Sequence, residues 1–231
     1  GWTDTWFAEE GAVLNFAVRP AVEVQVDVRP GERGRSNRIT VRAESFGETF
    51  AMDPSAPRMD VHPLLQHAIA SASVPPTVAL DIRISSPVPP GISTGTSPSV
   101  CLLGALDALT GRRRGAREIA RLAHRVETER LGLQSGVQDQ IAAARGRITF
   151  IRMRKYPDSE PRAVRLSDRT WNEIDRRLAL VYLGRPHRST DRGATIFVPE
   201  PSTCSTASGR RSVRTGIPSL HGSRPFASRD T

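Results

Sequence analysis

One eleven-residue segment, Pro89-Pro90-Gly91-Ile92-Ser93-Thr94-Gly95-Thr96-Ser97-Pro98-Ser99, does most to restrict what this chain can fold into. Before it runs Thr77–Ser86, where Val78, Leu80, Ile82 and Ile84 alternate with other residues as in a strand. After it, Ser99–Leu109 is rich in Leu and Ala at helical spacing, and Gly111 stops it. The chain must therefore pass from strand to helix through small residues. Such a junction lets backbone N–H groups converge on an anion at the helix N-terminus. The Thr96-Ser97 hydroxyl pair can add a metal or phosphate contact. An ordinary strand-to-helix turn uses the same residue types, so the segment alone leaves both readings open.

On either side the pattern mixes strands and helices. Val13–Val18 is a short apolar strand, and Ala21–Arg29 alternates, with Val22, Val24, Val26 and Val28 on one face. Arg38–Ala43 and Glu48–Met52 read as further strands, giving an antiparallel opening region with one wet face. Val61–Ala72 has a helical period. Ala116–Leu131 is a longer helix closed by Gly132, and Ser135–Ala144 a shorter one closed by Gly146. Ile148–Met153 reads as a strand, Asp168–Leu178 as a helix and Leu178–Leu183 as a strand.

Composition narrows the class. The 231 residues hold a buried core with room to spare, and Cys101 and Cys204 are the only cysteines. No disulfide framework is implied, which makes a reducing cytoplasm the expected setting. No apolar run reaches the length of a membrane span, so no membrane partner is expected. The net charge of +9 is concentrated: from Arg185 onward eight Arg face only Asp191, Glu200 and Asp230. Residues 193–231 lose all periodicity and read as a disordered Arg/Ser/Thr/Pro-rich tail. Aromatics that would interleave with its Arg for stacking on bases are nearly absent, so nucleic acid is an unfavoured partner.

Three more segments carry chemistry. Gly1-Trp2-Thr3-Asp4 sets a carboxylate in a turn, and Val126–Gly132 ends a helix with Glu127 and Glu129. These two Glu are two residues apart and face different ways, so at most one points inward. Gly136-Val137-Gln138-Asp139-Gln140 puts Asp139 at the start of a short helix. His62 and His67 lie five apart and fit no shared helix face, and no Cys/His cluster suggests zinc. Arg112–Arg114 reads as a solvated linker.

In this order, the four segments resemble the motifs of the GHMP small-molecule kinases, and within them the sugar-kinase branch that includes L-fucokinase and heptose 7-phosphate kinase. Gly1-Trp2-Thr3-Asp4, continued by Gly11–Asn15, is similar to the first motif. Pro89–Ser99 aligns without a gap to Pro-Pro-Gly-Ser-Gly-Leu-Gly-Ser/Thr-Ser-Ser-Ala. Glu127, five residues before Gly132, matches the metal-binding Glu, and Gly136–Gln140 matches Gly-x-x-Asp-Gln. The resemblance implies a ribosomal-protein-S5-domain-2-like α+β fold and transfer of the γ-phosphoryl group of Mg-ATP to a sugar or sugar phosphate at an anomeric hydroxyl. It implies ATP phosphates held by Pro90, Gly91, Ser93, Thr94, Gly95, Thr96 and Ser97. Mg²⁺ would sit on Ser97, with Thr96 nearby, and Glu127. Asp139 would be the catalytic carboxylate, with Thr3, Asp4 and Gly136 against the sugar. The domain division that follows is residues 1–153 as the N-terminal ATP-binding domain, 154–192 as the start of a second domain, then the tail.

Departures stand beside these matches. Ser93 replaces a family Gly, Thr94 a Leu and Pro98 a Ser. The family's Gly-rich third motif is not visible after Gly184, and the chain reads as truncated at both ends. Two other readings follow: an inactive remnant of such a kinase, or a basic module that binds nucleic acid through Arg210, Arg211 and Arg214.

Overall fold

A computed structural model describes residues 10–18, 21–31, 38–86 and 96–179. Two sheets flank a layer of helices, an α+β arrangement. The larger sheet has the order β2-β5-β3-β4, built from β2 (Glu23–Pro30), β3 (Ile39–Ala43), β4 (Glu48–Met52) and β5 (Val78–Ser85). The smaller has the order β1-β6-β7, from β1 (Gly11–Phe16), β6 (Ile148–Lys155) and β7 (Asp158–Ala163). The helices are α1 (Pro63–Ser71), α2 (Thr96–Thr110), α3 (Ala116–Arg125), α4 (Gln138–Arg145) and α5 (Asp168–Arg177). No helix among the described residues is long and apolar enough to cross a membrane.

Alternation in the sequence decides which faces meet. Ile39, Val41, Leu80, Ile82 and Ile84 turn one face of the larger sheet onto Leu65 and Ile69 of α1 and Leu102, Leu103 and Leu106 of α2. Each large apolar side chain buried this way is worth about 1.5–3 kcal/mol of transfer free energy. A second cluster joins Ala120, Val137 and Ile141 to Ile151 and Met153 of β6. Helix α3 serves both, with Ile119 and Ala123 toward the first cluster and Ala120 toward the second. The helices are thus held from two sides.

Several expectations are corrected. The opening region is not wholly antiparallel: β3 pairs parallel with β5, and β1 leaves for the other sheet to pair with β6. Alternation fixes a strand's two faces but not its partner. Strand β7 escapes the sequence reading because Asp158-Ser-Glu-Pro-Arg-Ala lacks an apolar face. As the outer strand of its sheet it tolerates Pro161. Arg114 is not a solvated linker residue. Its backbone N–H donates to Asp107 Oδ2 at 2.6 Å and its guanidinium lies 3.2 Å from Oδ1, with Asp107 itself buried. This pair and Gly111, at φ +71, turn the chain from α2 into α3. The strand expected over Leu178–Leu183 and the tail 193–231 fall largely or wholly outside the described residues.

Asp107→Ala leaves the Arg114 N–H and guanidinium without their acceptor. The expected loss is about 1–3 kcal/mol, read as a drop of about 2–4 °C in thermal midpoint per kcal/mol. Arg114→Gln keeps the backbone bond and should cost less.

Candidate functional site

Helix α3 does not run on to Leu131 as one regular helix. From Val126 to Arg130 it widens into a π turn, closed by Leu131 N–H donating to Val126 O at 3.2 Å. Leu133 N–H then reaches back to Glu127 O at 2.9 Å, with Gly132 at φ +63 between them. A left-handed residue at this point lets the last carbonyls find partners. π turns inside helices recur at functional sites. This one carries Glu127, which is 5 % exposed, whereas Glu129 faces solvent and pairs with Arg125. Only one of the two Glu points inward.

Three side chains donate to the Glu127 carboxylate. Thr96, the first residue of α2, donates its hydroxyl to Oε1 at 3.0 Å. On Oε2, the Ser135 hydroxyl donates at 2.5 Å and the Gln140 amide at 2.9 Å. The same amide nitrogen lies 3.1 Å from Ser135 Oγ. Burial pushes the Glu127 carboxyl above its usual range, the three donors pull it back, and the charge of Asp139 pushes it up again. Asp139, half-buried on the first turn of α4, is therefore close enough for its charge to reach Glu127. The N-termini of α2 and α4 and the π turn converge here.

The surrounding shell ties this centre to the smaller sheet. Asn15 of β1 donates its amide to Gln138 O at 3.1 Å, at the head of α4. Tyr156, beyond β6, donates its hydroxyl to Ser135 O at 2.9 Å, and His124 Nε2 lies 2.7 Å from Tyr156 Oη and 3.1 Å from Ser135 O. With Tyr156 donating onward, the imidazole meets two oxygens through Nε2 and carries its proton there. Burial lowers the His124 pKa, against the upward pull of the Ser135 carbonyl and Glu129. A His with a depressed folded pKa adds stability that is complete above the unfolded value, near 6.5, and is lost as pH falls through the folded one. His124→Gln keeps a donor but does not titrate. The variant should show a smaller fall in thermal midpoint between pH 7 and pH 5 than the parent chain.

Of the residues singled out by sequence, Thr96 and Glu127 touch, and the charge of Asp139 reaches Glu127. Ser97, half-buried on the first turn of α2, makes no described hydrogen bond to Glu127; its neighbour Thr96 does. Gly136 lies in the loop ahead of α4, next to Ser135. Thr3, Asp4, Pro90, Gly91, Ser93, Thr94 and Gly95 lie outside the described residues. Ser135, Gln140, His124, Tyr156 and Asn15 were not singled out as site residues. Gln140 sits inside the Gly136–Gln140 segment, and Ser135 and His124 lie within a short reach of Gly136 and Glu127, but their contacts depend on the fold. No group of three or more His, Cys, Asp or Glu able to hold a metal occurs among the described residues.

Residues 63–147 match the family model described as GHMP kinases N terminal domain. A mevalonate kinase from Pyrococcus horikoshii is 35 % identical over 71 residues, covering 30 % of this chain and 21 % of that protein. A solved D-glycero-D-manno-heptose 1-phosphate kinase from Bacteroides thetaiotaomicron superposes with a TM-score of 0.61 at 21 % identity, covering 72 % of this chain and 55 % of the other. A Lactococcus lactis galactokinase, solved with galactose, gives 0.54 at 19 % identity, covering 72 % and 44 %. The chain thus spans about half the length of these solved kinases. At such identities the superpositions speak for the fold.

Proposed function

We propose that this chain, whose residues 63–147 match the model of the GHMP kinases N terminal domain, is an ATP-dependent phosphotransferase whose acceptor is the anomeric hydroxyl of a sugar or sugar phosphate. The observation that carries this reading is the buried Glu127 carboxylate facing the Thr96 hydroxyl at the N-terminus of α2, with the Asp139 charge close by.

The residues present fit a divalent cation of the Mg²⁺ type. Glu127 and Thr96 offer hard oxygen ligands, and a single carboxylate suffices where phosphates and water complete the shell. Glu127, Thr96 and Ser97 would hold the ion. Mg-ATP supplies the transferable phosphoryl group and neutralises charge as that group moves.

The chain's own groups do the rest. Backbone N–H groups opening α2, together with residues 90–95, bind phosphate oxygens at the positive end of the helix dipole. Asp139 orients the acceptor hydroxyl and takes its proton. An anomeric hydroxyl is more acidic than an ordinary alcohol, so a carboxylate suffices as acceptor. Thr3, Asp4 and Gly136 hold the sugar. Phosphoryl transfer asks little else of a protein than positioning and charge stabilisation.

The test is Mg²⁺-dependent release of ADP from ATP by the full chain, against L-fucose, D-galactose, L-arabinose and a heptose 7-phosphate. Release that depends on one of these sugars is expected. Folded chain that binds no nucleotide and turns over none of them would refute the reading.

A further inference from the structure

We propose that Gln140 and Ser135 are positioning residues that set which divalent ion this site accepts: by filling Oε2 of Glu127 they leave the carboxylate one open lone-pair direction, on Oε1. The inference rests on the reading of Glu127 as the metal-binding carboxylate.

A carboxylate offers about four lone-pair directions, two on each oxygen. Oε2 already accepts from Ser135 and from Gln140, while among the described residues Oε1 accepts from Thr96 alone. The remaining direction is on the oxygen that faces the start of α2. Gln140 is held in this role firmly. Its residue is 1 % exposed, and its amide nitrogen meets both Glu127 Oε2 and Ser135 Oγ. Turning the amide over would set its oxygen against the carboxylate. In the orientation adopted, Gln140 Oε1 is buried without a hydrogen-bond partner among the described residues. An unpaired buried acceptor is unfavourable, so the donor facing Glu127 is kept at the expense of the acceptor. Ser135 is fixed in turn, its carbonyl taken by Tyr156 and His124.

One open direction permits a cation to meet one oxygen and not both. Small octahedral ions such as Mg²⁺ and Mn²⁺ work with single-oxygen contacts, whereas Ca²⁺ collects more oxygens and commonly takes both of a carboxylate. Donors that saturate Oε2 therefore discriminate against Ca²⁺ without touching the ion.

The experiment titrates Mn²⁺ into the full chain with a non-hydrolysable ATP analogue, reads bound Mn²⁺ by electron paramagnetic resonance, and displaces it with Mg²⁺ or Ca²⁺. In the parent chain Mg²⁺ should displace at lower concentration than Ca²⁺. Gln140→Met keeps volume but removes the donor. It should weaken Mn²⁺ about 10- to 100-fold and narrow the preference for Mg²⁺ over Ca²⁺. Ser135→Ala should move the preference the same way, and Ser135→Thr, which restores a hydroxyl, should keep it. Folded variants that retain the parent's ratio of Mg²⁺ to Ca²⁺, even with weaker binding overall, would overturn the inference. If Gln140→Met does not fold, the Ser135 pair decides by the same criterion. Absence of bound Mn²⁺ in the parent would instead overturn the underlying role of Glu127, and this inference with it.

Discussion

Asp139→Asn is expected to leave nucleotide binding in place and to slow phosphoryl transfer about 100- to 10,000-fold, the range lost when a positioned proton acceptor is removed. The change keeps the side chain's size and one oxygen acceptor on the first turn of α4, so the fold has no reason to respond. What disappears is a basic oxygen able to take the acceptor hydroxyl's proton. Single-turnover transfer from labelled ATP, measured beside a nucleotide titration, separates chemistry from binding. Turnover at the parent rate would remove Asp139 from the chemistry, and joint loss of binding and turnover would make its role structural.

Glu127→Gln should have opposite effects on function and stability. Divalent-dependent nucleotide binding should fall at least about 100-fold, since the change removes the buried charge that a hard cation requires. Stability should rise at neutral pH. The folded pKa of Glu127 lies above its unfolded value, so the folded chain binds this proton more tightly. That contribution is complete below the ordinary carboxylate range and is lost as pH climbs through the folded pKa. Ionising the desolvated carboxylate is therefore a burden at neutral pH that Gln does not carry. Packing can absorb the new amide, because Gln140 can turn over and present its unpaired oxygen to it. A gain of about 2–4 °C per kcal/mol is expected at pH 7, shrinking toward pH 4. An unchanged midpoint with binding lost would mean that the three donors already offset the burial.

The sequence carried the periodic parts of this fold well. Alternation placed β2, β3, β4 and β5, and glycines marked the ends of α2 and α4, because side-chain period and left-handed backbone are local properties. Partnership was not legible. Nothing local in Val13–Phe16 says that it joins Ile148–Ile151 and not its neighbour β2. At the centre, helical geometry allowed only one of Glu127 and Glu129 to point inward without saying which, and the alignment of Thr96, Glu127 and Asp139 with family motifs marked all three. The donors Ser135 and Gln140 could not be read, because a hydroxyl or amide has no sequence signature until the fold brings it to a carboxylate. The π turn was hidden too, since it changes the hydrogen-bond ladder and leaves the residue pattern alone.

The pairing of β1 with β6 also sets an order of events during synthesis. Gly11 meets Met153, and Asn15 closes onto Gln138. At about 5–20 residues per second, the ribosome takes roughly 7–30 s to make the intervening chain. Until then Val13, Leu14 and Phe16 emerge as an apolar strand without its mate, open to pairing with another nascent chain. The larger sheet is already complete once β5 is out. The surroundings of Glu127 therefore close only after the larger sheet is complete, and slowing translation between β5 and β6 should lengthen the interval in which the growing chain can aggregate.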